Sequence, residues 1–107
     1  MHIRIYWGKV VGDAWPSIEQ RYREVMELPV KGLLGRFVTQ DVNDRESMFT
    51  ITFWSDVESI REWEASPSYA NLYLAAVSPH ITCAMSVSLC EVKAFDAAGL
   101  LKALARP

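Results

Sequence analysis

The spacing of apolar residues switches repeatedly between a period of two and a period near 3.6. Residues 2–11 are rich in β-branched and aromatic side chains and read as a first strand, with Ile3, Ile5 and Trp7 alternating against His2, Arg4 and Tyr6. Gly12 and Asp13 interrupt it; Asp13 is a candidate N-cap and Pro16 suits a first helical turn. Trp15, Ile18, Tyr22, Val25 and Met26 then share one helical face, with charged residues around the other side, and predict an amphipathic helix ending before Pro29. Residues 32–40 read as a second strand, Asn43 and Asp44 as a hairpin turn, and 47–54 as a third strand. Ser55 and Glu58 match a capping box ahead of a stripe of Val57, Ile60 and Trp63. Ser66 and Pro67 restart a helix carrying Tyr69, Leu72, Tyr73 and Ala76, which Pro79 ends. Residues 82–95 form a long fourth strand.

The resulting order, β-α-β-β-α-β, predicts an α+β, ferredoxin-like domain with a four-stranded antiparallel sheet and both helices on one face. We assign it to residues 1–95, with 96–107 as an Ala/Leu-rich C-terminal tail of weak helical periodicity. A sheet covered on one side only should be polar on the other. Here the face assigned as uncovered still carries Tyr6, Leu34, Val38, Met48 and Trp54. Burying a side chain of that size is worth about 1.5–3 kcal/mol, so the pattern predicts a homodimer through the sheet face. Arg4 and Arg36 fall on that same face and are expected to form interface ion pairs or to reach its rim.

Composition narrows the function. A formal charge of −2, with eleven scattered Lys and Arg, offers no clustered basic surface for nucleic acid. No apolar run approaches the roughly 20 residues that span a bilayer. The amino-terminal residues lack a basic flank and a small-residue cleavage site, so no signal peptide and a cytoplasmic location are expected. Cys83 and Cys90 fall on opposite faces of one expected strand and read as buried apolar thiols. There is no Gly-rich phosphate loop, CxxC, paired-His spacing or nucleophile elbow. A nucleotide, flavin or metal has no visible seat.

Two stretches, Gly32-Leu-Leu-Gly-Arg-Phe-Val-Thr-Gln40 and Thr50-Ile-Thr-Phe-Trp54 through Trp63 to Tyr69, resemble the antibiotic-biosynthesis-monooxygenase family, and the resemblance extends over roughly residues 1–92. It implies a dimeric α+β barrel. The fold hosts oxygenation, haem breakdown, isomerisation and non-catalytic roles, so it does not choose among them. The cofactor-independent oxygenases of aromatic polyketide quinols are similar in pairing a Trp on the second helix with a Tyr six positions later, here Trp63 and Tyr69. Their Asn one turn before the Trp is Ser59 in this chain. The haem-degrading branch has an Asn at the end of strand one, the same Trp, and a proximal His ten positions later. Trp7 and Tyr73 stand at those two places, and a Tyr can ligate haem iron.

The resemblance therefore implies a small cofactor-independent monooxygenase acting on a planar aromatic or quinone-like metabolite. A haem-binding or haem-degrading protein and a non-catalytic ligand-binding or stress-response barrel are its rivals. Trp63 would wall the pocket, with Tyr69, Ser59 and Trp7 as substrate contacts and Tyr73 and His80 as catalytic groups. Each has a plainer reading. Trp63 lies on an apolar stripe and suits a core, Tyr69 and Tyr73 can simply reach water at the core's edge, and a loop His80 can be solvated. Without a cofactor, an electron-rich phenolate or quinol substrate must itself supply electrons to dioxygen. The protein's part is then to deprotonate, hold and shield it.

Overall fold

In a computed structural model of the protein the elements run β1 (His2–Lys9), α1 (Trp15–Met26), β2 (Leu33–Gln40), β3 (Ser47–Trp54), α2 (Val57–Glu64), a π-helical turn (Tyr69–Leu74), a 3-10 turn (Ser78–His80), β4 (Ser86–Glu91) and α3 (Ala98–Leu104). The structure describes residues 1–75, 78–81 and 86–105, with the side chain of Tyr73 outside that description. The strands lie in the order β2-β3-β1-β4, and every neighbouring pair is antiparallel. This is the expected ferredoxin-like α+β arrangement. Among the described residues no helix is long and apolar enough to cross a membrane.

The alternation along β1 and β3 is as expected, but the helices cover the other set of side chains. Tyr6, Val10, Met48 and Trp54 are buried beneath the helices, where Ile18, Tyr22 and Val25 of α1 meet Tyr6, Val10 and Met48. The uncovered face carries Ile3, Ile5, Trp7, Phe37, Phe49, Ile51 and Phe53, all only partly buried, with Phe37 and Phe53 packed edge to face at 5.8 Å. The assignment of Tyr6, Val38, Met48 and Trp54 to an uncovered face is thus corrected. Both sets are apolar, so periodicity could not say which one the helices would take. Leu34 alone of that set does lie on the uncovered face, beside Ile3, Phe37 and Phe53, because a bulge shifts the alternation there. Leu33 pairs with Trp54 and Gly35 with Phe53, so Leu34 is the extra residue of a bulge and is 60% exposed, while Leu33 joins the covered side.

Arg4 and Arg36 also lie on the helix side. Arg36 reaches from β2 to the end of α1, donating to the carbonyls of Val25 (3.0 Å), Met26 (3.2 Å) and Leu28. They lie where the helix ends and the chain leaves it: the Val25 carbonyl also accepts the Leu28 N–H at 3.1 Å, and Leu28 is already past the last helical turn. Burial pulls the Arg36 guanidinium below its usual range, partly offset by the Tyr22 hydroxyl nearby.

Local signals at the helix starts are shifted by one residue. The N-cap of α1 is Ala14, which makes no side-chain cap, and Asp13 precedes it. Instead the Trp15 indole donates to the Arg45 carbonyl at 2.7 Å and ties the helix start to the hairpin. The N-cap of α2 is Asp56 rather than Ser55; its carboxylate accepts the Ser59 N–H at 2.8 Å, and that bond holds it below the ordinary carboxylate range. Ser66 does cap the next turn, accepting from the Tyr69 N–H at 3.2 Å. The turn between β2 and β3 is organised by Asp41, whose Oδ1 accepts the N–H groups of Asn43 (2.7 Å) and Asp44 (3.1 Å). An ion pair from Lys9 to Asp44 fastens the end of β1 to the same turn.

The described part of the fourth strand is Ser86–Glu91, which stops short of the expected end at 95; residues 82–85 lie outside the described residues. Cys83 falls among them. Cys90 is a free and exposed thiol in this single chain, not a buried one.

Replacing Arg36 by Ala removes a charged donor from three helix-end carbonyls. We expect the unfolding free energy in urea to fall by about 2–3 kcal/mol. Arg36→Lys should recover only part of it, since one ammonium cannot span the three acceptors.

Candidate functional site

The second helix brings one strip of residues over the covered face of the sheet. Ile60 is fully buried and Ser59 is 4% exposed, and Trp63 follows one turn later, partly buried against the core. The chain then turns through Ser66, whose hydroxyl donates to the Trp63 carbonyl at 2.7 Å, and enters the π-helical segment that begins at Tyr69. Rings of Trp63 and Tyr69 meet edge to face, with centroids 5.8 Å apart and planes at 81°. Short π-helical turns are often found at functional sites because they re-aim side chains within a helix.

Arg4 comes up from β1 into this corner. It is 4% exposed and is the one charged residue among the described residues that is fully buried. Its Nη2 donates to the Tyr69 hydroxyl at 2.9 Å, and its Nε lies 3.5 Å from a carboxylate oxygen of the half-exposed Glu64. The guanidinium carbon stands 5.5 Å from the Tyr69 ring centre and 5.9 Å from that of Tyr6, within reach of cation–π attraction. Burying a guanidinium costs several kcal/mol unless partners offset it. Here a carboxylate, a phenol oxygen and two aromatic faces do so.

Trp63 separates two spaces of very different size. On its inner side is a void of about 10 Å³, enclosed by Arg4, Tyr22, Val25, Leu33, Arg36, Thr52, Trp54 and Trp63. One water needs about that much room. On its outer side an open groove of about 210 Å³ runs among Pro29, Val30, Lys31, Ser59, Glu62, Trp63, Ser66 and Ser68. Drug-sized ligands usually occupy roughly 300–1,000 Å³, so the groove suits one or two fused rings. A larger depression, about 570 Å³, lies between the start of α1 and the hairpin, and none of the sequence-selected site residues lines it.

Of the residues selected from sequence, Trp63, Tyr69 and Ser59 are brought together. Ser59 lies directly against Gly32, where the backbone has φ +79° and a Cβ would stand 2.2 Å from the Ser59 hydroxyl oxygen. A longer amide at position 59 has no room on that side, which gives the Ser a packing reason. Trp7 points to the opposite face of the sheet and donates from Nε1 to the Ser47 hydroxyl at 3.4 Å. His80 is at the far end of β1, where its carbonyl accepts the Val11 N–H at 3.0 Å. Seven strand residues separate that point from Arg4, roughly 20 Å. The backbone of Tyr73 lies in the π-helical turn, and its side chain is outside the described residues. Sequence reasoning missed Arg4 as a site residue. Its signal was a lone cation between Ile3 and Ile5 on an otherwise apolar strand.

A ferredoxin-like sheet with an aromatic-walled cleft under its second helix defines a class of small α+β domains. The description "Antibiotic biosynthesis monooxygenase" matches residues 10–73, more than half of the chain, and the chain belongs to that family. Solved structures agree on the fold. One is a mutant of SnoaB, a cofactor-independent oxygenase from Streptomyces nogalater, at 14% identity and TM-score 0.73, covering 88% of this chain and 94% of that one. Another is a mutant of MhuD with two manganese protoporphyrin IX bound per active site, at 23% identity and TM-score 0.74, covering 90% and 98%. A third, described as an antibiotic biosynthesis monooxygenase from Bordetella bronchiseptica, has 13% identity and TM-score 0.77, covering 88% and 97%. At these identities the likeness is one of fold. No curated protein matches the sequence.

The contact between Gly32 and Ser59 can be measured. Gly32→Ala combines a positive φ, costing about 1–2 kcal/mol, with overpacking of about 1–3 kcal/mol. Urea unfolding should show a loss near the sum, about 3 kcal/mol. In a Ser59→Gly background the loss should shrink to the backbone part. A loss equal in both backgrounds would mean that the two residues do not press on each other.

Proposed function

We propose that this chain is a small cofactor-independent monooxygenase-like protein acting on a planar aromatic or quinone-like metabolite. The observation that carries the reading is Trp63, which stands between an open groove of about 210 Å³ and an inner void, with Tyr69 held against its edge. A flat ring lying in the groove stacks on the indole, and its oxygens come within reach of Ser59 and of the polar corner at Tyr69. Closing the aromatic wall over the ligand keeps water from the reduced substrate while dioxygen accepts its electrons. Tyr73 follows Tyr69 on the same π-helical turn and is the further hydroxyl proposed for this corner. His80 is too far along β1 to act as the base here, because a general base must come within about 3 Å of the proton it takes.

Haem fits the described cleft poorly. The inner void, about 10 Å³, cannot admit a macrocycle, and His80 does not face it. The same small void favours a second reading, a non-catalytic ligand-binding barrel in which Trp63 and Tyr69 are mainly core. Oxygen uptake with a dihydroxynaphthalene distinguishes them. The first reading expects uptake above the buffer rate, falling at least about tenfold in Trp63→Ala and little changed in Trp15→Phe. Binding of the naphthalene without uptake would favour the barrel. A Soret shift on adding haemin, lost in Tyr73→Phe, would overturn the cofactor-free reading.

We also propose a homodimer through the uncovered sheet face. Ile3, Ile5, Trp7, Phe37, Phe49, Ile51 and Phe53 leave that face apolar and only partly buried in one copy, and an apolar surface of this extent marks an interface. Light scattering at micromolar concentration should return twice the 12.1 kDa chain mass. Ile51→Lys, centred on the face, should shift the mass toward one copy, and a wild-type monomer would remove the proposal.

A further inference from the structure

We infer that α3 is an interface element: in a pair of chains its leucine stripe seats on the second copy, whose side chains close the hollow between α3 and the open sheet. This rests on the proposed sheet-face dimer and extends it to a segment to which family membership assigns no role, since the matched residues end at 73. The hollow, about 390 Å³, lies between Ile3, Phe37 and Phe53 of the sheet and Leu100, Leu101 and Leu104 of α3. Phe95 stands at its edge and is 76% exposed, and the three leucines stay close to half exposed.

A helix of seven residues does not hold itself in water, because isolated helices shorter than about 12–15 residues are marginal. α3 has no side-chain cap at Ala97, carries Gly99 with open space around it, and buries none of its residues. Its leucines form one stripe, and that stripe is what tertiary packing can use. Within one chain the stripe meets a hollow rather than a packed surface. The gap adjoins the part of the sheet that a second copy is proposed to cover, so one partner reaches both.

The chemistry of the hollow favours a second copy over a ligand or a membrane. A small-molecule site orients its ligand with a few placed polar groups, whereas Asp96 is the one charged side chain among the described residues lining the hollow. A helix that lies on a membrane carries several Lys or Arg on its polar face; α3 has Lys102. A two-fold interface requires a face complementary to itself. Here a hole and projecting apolar side chains, Phe95 and Leu101, sit side by side, so each copy supplies what the other lacks.

Sedimentation over a dilution series gives the dimer dissociation constant. Leu101→Asp combined with Leu104→Asp, both at exposed positions, should raise it at least about tenfold. Lys102→Glu, on the other side of α3, should leave it unchanged. A folded leucine double variant that pairs as tightly as wild type would overturn the role of α3 and leave the sheet-face dimer standing. Wild type that stays a single copy at micromolar concentration removes the dimer itself, and this inference with it. In wild type, amide exchange across residues 98–104 should slow at least about tenfold on passing from below the dissociation constant to above it. Equal rates at both concentrations would overturn the inference without any variant. Anilinonaphthalenesulfonate or phosphatidylcholine vesicles that bind the wild-type dimer but not the leucine variant, with pairing unchanged, would assign the stripe to a ligand or to lipid instead.

Discussion

A pleated strand sends successive side chains to opposite faces, and in this chain β1 and β3 carry apolar residues on both. Everything else in the fold answers to that. One set, Tyr6, Val10, Met48 and Trp54, is sealed by α1 and α2. The other set, centred on Ile5, Ile51 and Phe53, is met only along one side, where Leu100, Leu101 and Leu104 of α3 border a hollow shared with Ile3, Phe37 and Phe53, and it stays partly open. A four-stranded layer with helices on one side cannot satisfy both sets from within a single copy. The covered face is where the cleft forms, and the open face is where a second copy is proposed to sit.

The covered face is not uniformly apolar, and the exception sets the character of the cleft. Arg4 occupies a position that the pattern of its strand assigns to a core residue. Its retention there depends on Tyr69, Glu64 and two aromatic rings arranged around the guanidinium. Such an arrangement fixes Tyr69 against Trp63 and orders the start of the π-helical turn. A buried cation so held is a weak contributor to stability, because desolvation consumes most of the attraction.

Membership of a family whose fold carries several chemistries leaves the chemistry to the site. Trp63 and Tyr69, the aromatic pair that the sequence resemblance points to, do meet in the structure, and the same resemblance sets Ser59 in place of an Asn. The close approach of Gly32 explains why a short side chain is needed there. Trp7 belongs to the open face, so its departure from the haem-degrading pattern alters the sheet surface and not the described cleft.

Element order, the sheet, the hairpin and the amphipathic helices were legible because each depends on local periodicity and turn chemistry. Trp63 and Tyr69 were legible as partners only through the family resemblance, which pairs a Trp on the second helix with a Tyr six positions later; periodicity alone placed them on separate helical stripes. What periodicity could not supply was a choice between equals. Both faces of β1 and β3 were apolar, so only the packed helices decided that Tyr6, Met48 and Trp54 lie inside. A single bulge residue, Leu34, reversed the alternation at the start of β2, which no residue type announced. Caps moved by one position because Asp56 and Ser55 are both competent oxygen acceptors and backbone geometry selected the former. Tertiary structure likewise turned Arg4 from a rim cation into a buried one and carried His80 to the opposite end of the sheet, since distances between residues far apart in sequence are set by how the layers pack.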